Sequence, residues 1–522
     1  MPRGWRDDNH ELGPMYNPAS LSSLPLVSHG VPRRAFLADV GLGFTGLALG
    51  AMLHRDGVAA GPKNGGVSED PHAPPTERPD GRPHHAPRAR NVIWIFLSGG
   101  YSQMETWDPK PALNKYAGKT YEQTPLPNPL KNPLFELRSR DVVGGTRPHA
   151  QIFPMQVGFR RYGELGIGVT DWWPELATCV DDMAFVRSMY TTDNDHNAEF
   201  QMHHGRHKLD PPEPVLGSWI HYGLGTGNEN LPSFVFLGKY KDTRVRWNFD
   251  ANYLGPAHSG VELSLDPGDP LPFGRRRPGV LAAEQRNQFD FINRLNRLTA
   301  VEYPEDADVR ARIRSYELAY RMQRSVPEAV NLAEETTSTQ ALYGLDNKTT
   351  AVYGRRLLAA RRLAERGVRY SLVYLSDYGE WDSHNKLQSL HARSCARVDK
   401  PIAGLLKDLK QRGLWDDTLV VCCTEFGRTP GLEVRNSNQK FTGRDHHPHG
   451  FTVWLAGAGV KRGVIHGQTD ELGFHAIESP HYVTDLHATV LHLLGLDPRR
   501  LDIPGRKRLD VDYGRPIKGI LS

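Results

Sequence analysis

The stretch Asn91-Val-Ile-Trp-Ile-Phe-Leu97 is a continuous apolar run rich in β-branched and aromatic residues, and it stops abruptly at Ser98-Gly99-Gly100. A strand with no polar face has to be covered on both sides, as in a parallel sheet held between two helical layers. Downstream the same kind of run recurs between helical periods. Val309 to Arg324 and Thr349 to Arg366 carry apolar residues at helical spacing, and the second stops at Gly367. Strands are expected at Arg369 to Leu375, Thr418 to Cys423 and Phe451 to Leu455, with helices at His391 to Lys410 and Tyr482 to Leu494. Helix and strand in alternation predict an α/β chain, doubly wound around a mostly parallel central sheet with helices on both faces. Between about 110 and 304, Pro, Gly and Trp interrupt every period, which predicts an irregular insertion of loops and short strands such as Ser233 to Leu237.

The chain has 522 residues, a formal net charge of +4 and 39% apolar residues, which disfavours both a polytopic membrane protein and a basic nucleic-acid-coating protein. Its 51 glycines and 39 prolines stay below the ~25–30% of a low-complexity chain. Four cysteines, Cys179, Cys395, Cys422 and Cys423, contain no CxxC pair and cannot build a disulfide framework. Cys422 and Cys423 are expected to be core thiols of a buried strand.

Near the start, Arg33-Arg34-Ala-Phe-Leu37 precedes an apolar, glycine-rich run from Val40 to Leu53 and the small-residue site Val58-Ala59-Ala60. That order of parts resembles a twin-arginine export signal, so residues 1–60 are read as a signal peptide. The apolar run is 14 residues, short of the ~20 that a stable membrane span needs. Residues 61–90, rich in Pro, Gly, His and charge, read as a flexible linker. The globular body is expected to occupy 91–510, followed by a C-terminal tail at 511–522. Export implies a periplasmic or extracellular protein.

In open α/β sheets, ligands lie beyond the carboxyl ends of the strands. There this sequence collects acids and imidazoles: Asp382 and His384 after one strand, Glu425 and Arg428 after another, and Asp445, His446, His447 and His449 just before a third. Such a set suits a divalent cation, Zn, Mn, Ca or Mg. Each piece alone has a plainer reading as a capping Asp, a solvated His-rich loop, or a Glu425–Arg428 ion pair. A second polar cluster, Asp193-Asn-Asp195-His196, reads either as a surface loop or as a further contribution of Asp195 and His196 to the same pocket.

With these residues in view, the chain resembles the alkaline-phosphatase and sulfatase superfamily, and more closely an exported sulfatase-related family known only as a domain of unknown function. The resemblance rests on Ser98-Gly-Gly-Tyr-Ser-Gln with Trp107-Asp-Pro-Lys110, Trp381-Asp-Ser-His384, Thr424-Glu-Phe-Gly-Arg428, Gly443-Arg-Asp-His446, Thr469-Asp470, and Thr484-Asp-Leu-His-Ala-Thr489 with Leu494-Gly-Leu496. It implies that Asp382, His384 and one of His446 or His447 hold one metal, with Glu425 at the place of a second metal's carboxylate. Asp445 is a further metal candidate, and Asp195, His196 and Arg428 are the catalytic candidates. Two departures stand out: Ser98 replaces the metal-binding Asp that ends the first strand in active members, and Phe426 replaces a histidine ligand. The sulfatase motif Cys-x-Pro-Ser-Arg has no match. Setting His204-Gly205 on its following Thr-Gly puts Asp195 at the Cys position, which leaves Asp195, Thr191, Thr192 and Ser98 as alternative nucleophiles.

Two functions of different class follow. One is a metal-dependent hydrolase of phosphate or sulfate esters; the other is a non-catalytic protein that kept the fold and binds an anionic glycan. A purely structural envelope role has no positive feature behind it. The basic helix with Arg355, Arg356, Arg361, Arg362 and Arg366 is expected to be solvated, or else to meet a sulfated or phosphorylated polymer.

Overall fold

A computed structural model describes residues 79–522 apart from 148, 239–247, 267–269, 272–278, 303–306, 436–440, 504 and 507. The expected signal peptide at 1–60 and residues 61–78 of the expected linker lie outside the described residues. Fourteen elements position the site. In chain order they are β1 (Asn91–Phe96), β2 (Met183–Tyr190), α1 (Ala198–His204), α2 (Leu216–Leu224), β3 (Phe234–Leu237), β4 (Val261–Glu262), α3 (Ala351–Glu365), β5 (Tyr370–Tyr374), α4 (Leu387–Gln411), β6 (Thr418–Cys423), β7 (Phe451–Gly457), β8 (Val464–His466), β9 (His481–Tyr482) and α5 (Val483–Leu493).

The nine strands form one sheet in the order β8-β2-β7-β6-β1-β5-β3-β4, with β9 also on β2. All pairings are parallel except those of β7, which runs antiparallel to β2 and β6. Successive side chains of β1 enter opposite layers. Ile93 and Ile95 pack with Leu357 and Leu363 of α3 and Leu405 and Leu409 of α4. Val92, Trp94 and Phe96 pack with Trp219 and Ile220 of α2 and Leu486 and Val490 of α5. Each such fully buried side chain contributes about 1.5–3 kcal/mol, so the all-apolar run from Asn91 is explained by two covered faces.

The region 110–304 contributes more than insertions. It supplies β2, a full strand of the sheet, and a helix at Ala282–Glu302 that its polar sequence hides. β2 escapes a reading by pattern because Arg187 and Ser188 interrupt its apolar run; Arg187 turns to the buried Asp108 at 3.7 Å. The basic helix α3 is not solvated throughout. Arg361 is fully buried against Glu335 at 2.8 Å and Asp408 at 2.8 Å, and Arg362 meets Glu335 at 2.7 Å. Those guanidiniums are committed to internal ion pairs and are closed to a polymer.

Both ends of the described chain are tied to the body. The His84 N–H donates to Gly495 O at 2.7 Å and the Arg88 N–H to Leu493 O at 2.8 Å. Ile517 and Ile520 are fully buried, and the Ser522 N–H donates to Gly459 O at 3.0 Å. All four cysteines are free and buried. Among the described residues no helix is long and apolar enough to cross a membrane.

Candidate metal centre

Phe96 is in register with Tyr374 on one side and Cys423 on the other. The segments leaving β1, β5 and β6 therefore emerge side by side. Gly99 sits at φ +121°, and a Cβ there would lie 2.5 Å from the backbone nitrogens of Trp381 and Asp382, so only glycine lets the loops close. The Gly99 N–H donates to Glu425 Oε1 at 2.8 Å. Ser98 turns away from the cluster: its Oγ donates to Glu199 Oε2 at 2.8 Å and accepts the Gly379 N–H at 2.9 Å.

Asp382 is the meeting point. Its Oδ1 lies 3.0 Å from His384 Nε2, 3.2 Å from His446 Nε2 and 2.8 Å from Arg428 Nη2, while Oδ2 lies 3.2 Å from His196 Nε2. His196 Nδ1 is 3.0 Å from Glu425 Oε1. His384 Nδ1 is 2.5 Å from the fully buried Glu433 and 3.6 Å from Asp445 Oδ1. Two sets thus share His446: His196, Asp382 and His446, and His384, Asp445 and His446, the ligand atoms of each lying within 4.8 Å of one another. Two donors on either side of one ion at 2.0–2.6 Å span about that distance.

The protonation states fit a cation. Burial raises the Asp382 carboxyl, but the Arg428 guanidinium and the bonds to His196, His384 and His446 outweigh it and hold the group far below the usual carboxylate range. Asp445 is likewise held below that range, its burial outweighed by the His149 bond at 2.8 Å and by His446. Burial, with Arg428 and His196 nearby, pushes His446 down to a neutral imidazole. Its Nδ1 lies 2.9 Å from the Asn194 carbonyl, which only accepts. The hydrogen therefore belongs on Nδ1, and the Nε2 lone pair faces the Asp382 oxygen; two acceptors directed at one point suit a positive charge between them. His196 answers the same need in another way. Burial lowers it, but bonds to Asp382 and Glu425 prevail and push it up to about 9. Glu199 is pushed up to about 8 by burial and by the charge of Glu425.

Of the residues singled out from sequence, Asp382, His384, Glu425, Asp445, His446 and His196 are brought together. His447 is not: alternation along its two-residue strand turns it from the cluster, and its Nε2 bonds Phe474 O at 2.6 Å. Asp195 is exposed, its carboxylate accepting from Asn197 Nδ2 at 3.2 Å. Arg428 is fully buried, donating to Gly100 O at 2.6 Å and Arg444 O at 3.1 Å besides Asp382, so its role here is to hold the loops and the carboxylate. Thr191 bonds Gln201, and Thr192 lies 2.8 Å from Gln201 and 3.3 Å from Tyr482. Sequence reading missed Glu199, Glu433 and His149, whose neighbourhoods carry no recognisable spacing.

Arg444 anchors the segment that delivers Asp445 and His446. It and Glu105 are both fully buried and 2.8 Å apart, and it donates further to the carbonyls of Thr429, Pro430, Phe153 and Pro154. Arg444→Met leaves Glu105 buried without its cation and is expected to cost about 3–5 kcal/mol, read as a lower urea midpoint. Adding Glu105→Leu should recover part of that loss, because an apolar pair strands no charge; a double variant as unstable as the single one would show the ion pair is not the cause.

Comparison with curated proteins gives no match. Among solved structures, the chain is similar to the phosphonate monoester hydrolase SpPMH from Silicibacter pomeroyi, at 12% identity and TM-score 0.35, covering 82% of this chain and 76% of that one. It is similar to the lipoteichoic acid synthase LtaP from Listeria monocytogenes at 10% identity and TM-score 0.36, covering 86% and 80%. It is also similar to the sulfatase PsFucS1 from Pseudoalteromonas sp. at 11% identity and TM-score 0.35, covering 84% and 71%. A protein family matches residues 89–521, nearly all of the described chain, and the protein therefore belongs to that family, described as "Protein of unknown function (DUF1501)".

Proposed function

We propose that the protein is an exported, metal-dependent hydrolase of phosphate or sulfate esters, working at the carboxyl edge of the sheet. The observation that carries this reading is the convergence on Asp382 of three imidazoles from distant parts of the chain, one of them neutral with its lone pair directed at the carboxylate. A donor set of imidazoles and carboxylates suits Zn²⁺ better than Mn²⁺, Ca²⁺ or Mg²⁺, which prefer oxygen ligands. Asp382, His446 and His196, or His384, Asp445 and His446, would hold the ion. Once bound, it would act as a Lewis acid on the ester oxygens.

The chain's own groups do the rest. Arg428 keeps Asp382 ionised, Glu433 orients His384 through Nδ1, Glu425 orients His196, and the Asn194 carbonyl fixes the His446 tautomer. Because Ser98, Thr191 and Thr192 are engaged elsewhere, water is the attacking group in this reading. The substrate is an anionic ester, with a sulfated or phosphorylated glycan as its natural class, and the protein acts in the periplasm or outside the cell after twin-arginine export. The engaged hydroxyls also favour the second reading, a glycan-binding protein that retains the fold without turnover.

Metal content and hydrolysis of aryl phosphates and aryl sulfates separate the two. The hydrolase reading expects at least one equivalent of bound divalent metal, and turnover that falls by at least ~100-fold in His384→Ala. Stoichiometric metal without turnover selects the binding reading, and absence of both metal and turnover removes the hydrolase.

A further inference from the structure

Arg361 and Arg362 of α3 are held by carboxylates, but Arg356 on the same helix is not. It is 5% exposed, and its Nη1 donates to Tyr374 O at 2.6 Å. The ring of Tyr353 lies 5.6 Å from the guanidinium. Among the described residues no carboxylate pairs with Arg356, and its other N–H groups are unbonded. A buried cation without a counterion costs stability, because nothing replaces its lost hydration. Burial accordingly pushes this guanidinium down, with Tyr353, Asp377 and Glu380 opposing from further away.

Arg356 lines a cavity of about 300 Å³. The cavity lies past the carboxyl ends of β3, β4 and β5, two of which end at Glu262 and Tyr374. The first two turns of α3 contribute Val352, Arg355 and Arg356, and the chain leaving β4 contributes Leu263 and Asp266 beside Glu262. None of these residues belongs to the Asp382 cluster. Arg355 is exposed and Val352 is 46% exposed, so the cavity is reached from solvent. Glu262 has no basic partner among the described residues, and burial pushes its carboxyl up. Apolar walls with a few convergent polar groups are the make-up of a small-molecule site.

We propose that this cavity binds one anionic monosaccharide unit, its carboxylate or sulfate group held by Arg356 and its hydroxyls by Glu262 and Asp266. A guanidinium with N–H groups to spare suits a carboxylate or sulfate, whose oxygens accept two parallel bonds from it. Carboxylates only accept, so they call for hydroxyl donors on the ligand. The two acids disfavour a bare inorganic anion, and a neutral sugar would leave Arg356 without a counterion. A sugar acid answers both demands. The volume of about 300 Å³ stands at the lower end for small-molecule sites and suits a single sugar ring.

Glucuronate, glucose 6-sulfate, neutral glucose and inorganic sulfate are titrated separately into the full chain. A chelator is present throughout, so that bound metal and turnover play no part in the result. Isothermal titration is expected to give one saturable site for glucuronate or glucose 6-sulfate, at least ~10-fold tighter than for glucose or inorganic sulfate, the scale of one charge-assisted hydrogen bond. Which of the two sugars binds tighter tells carboxylate from sulfate. Arg356→Met removes the guanidinium and Val352→Trp fills the cavity; each should weaken binding at least ~10-fold. Failure of both anionic sugars to bind overturns the site. So does equal binding of glucose or inorganic sulfate, or binding that survives both substitutions. Should Arg356→Met fail to fold, Val352→Trp decides alone: loss of binding supports the site and full binding overturns it.

Discussion

On the proposed function, asparagine at position 382 is expected to abolish metal binding and ester hydrolysis in one step, while leaving a folded chain. The carboxylate offers two oxygens and a negative charge to His196, His384, His446 and Arg428 together. The amide keeps the shape but offers one oxygen and no charge. Metal affinity should fall by more than the ~10–100-fold that follows loss of an outer-shell partner, and turnover by at least ~100–1000-fold, the scale of losing one transition-state electrostatic contact. The fold should tolerate the change, since Arg428 keeps the carbonyls of Gly99, Gly100 and Arg444. Arg428 is fully buried and loses its carboxylate partner, so the cost to stability should reach toward the ~3–5 kcal/mol of a stranded buried charge, moderated by those carbonyls. Elemental analysis and an aryl-ester assay on Asp382→Asn decide the matter; a variant that keeps both full metal and full turnover would remove Asp382 from the centre of the site.

What could be foreseen from sequence divides along physical lines. β1 and β6 were legible because both of their faces are buried, leaving an unbroken apolar run with a sharp polar stop. α4 was legible because it buries a stripe at helical spacing, and α5 because its apolar residues recur at that spacing although nearly the whole helix is buried. β2 was hidden because Arg187 finds a carboxylate inside the protein, a contact no local pattern records. In the site, the rule that ligands gather past strand ends located Asp382, His384, Glu425 and His446, which follow or precede recognisable strands. It could not tell His446 from His447, because which neighbour faces inward depends on the pairing of His446 with Arg428, set by the fold. Glu433 and Glu199 stayed invisible for the same reason: each acquires meaning only through a partner far along the chain, His384 for one and Ser98 for the other.

Acid should unfold this protein early, and the cause is imidazole rather than carboxylate. Burial pushes His391 and His447 down to about 3, His449 to about 2, and His221, His475 and His487 to about 4, with His203 also well below its ordinary value. Several are locked neutral by their partners: the Ser102 N–H donates to His391 Nε2 at 3.0 Å, which a proton there would prevent. For a group whose folded pKa is depressed, the unfolded chain binds the proton first. Stability is then complete above pH ~6.5 and is lost as the pH falls toward the folded value. Buried carboxyls work in the opposite direction: burial pushes Glu199 up to about 8 and Asp399 to about 6, and raises Asp193, Glu262 and Asp470 as well, so they take up protons first in the folded state and gain stability on acidification. The strongly depressed histidines outnumber the raised carboxyls, so the net effect is a loss of stability as the pH falls below ~6. Urea midpoints at pH 7, 6 and 5 are expected to fall steeply, and His475→Gln and His487→Gln should each flatten the fall by about one proton. A midpoint constant from pH 7 to pH 5 would mean that these imidazoles are not held neutral by the fold.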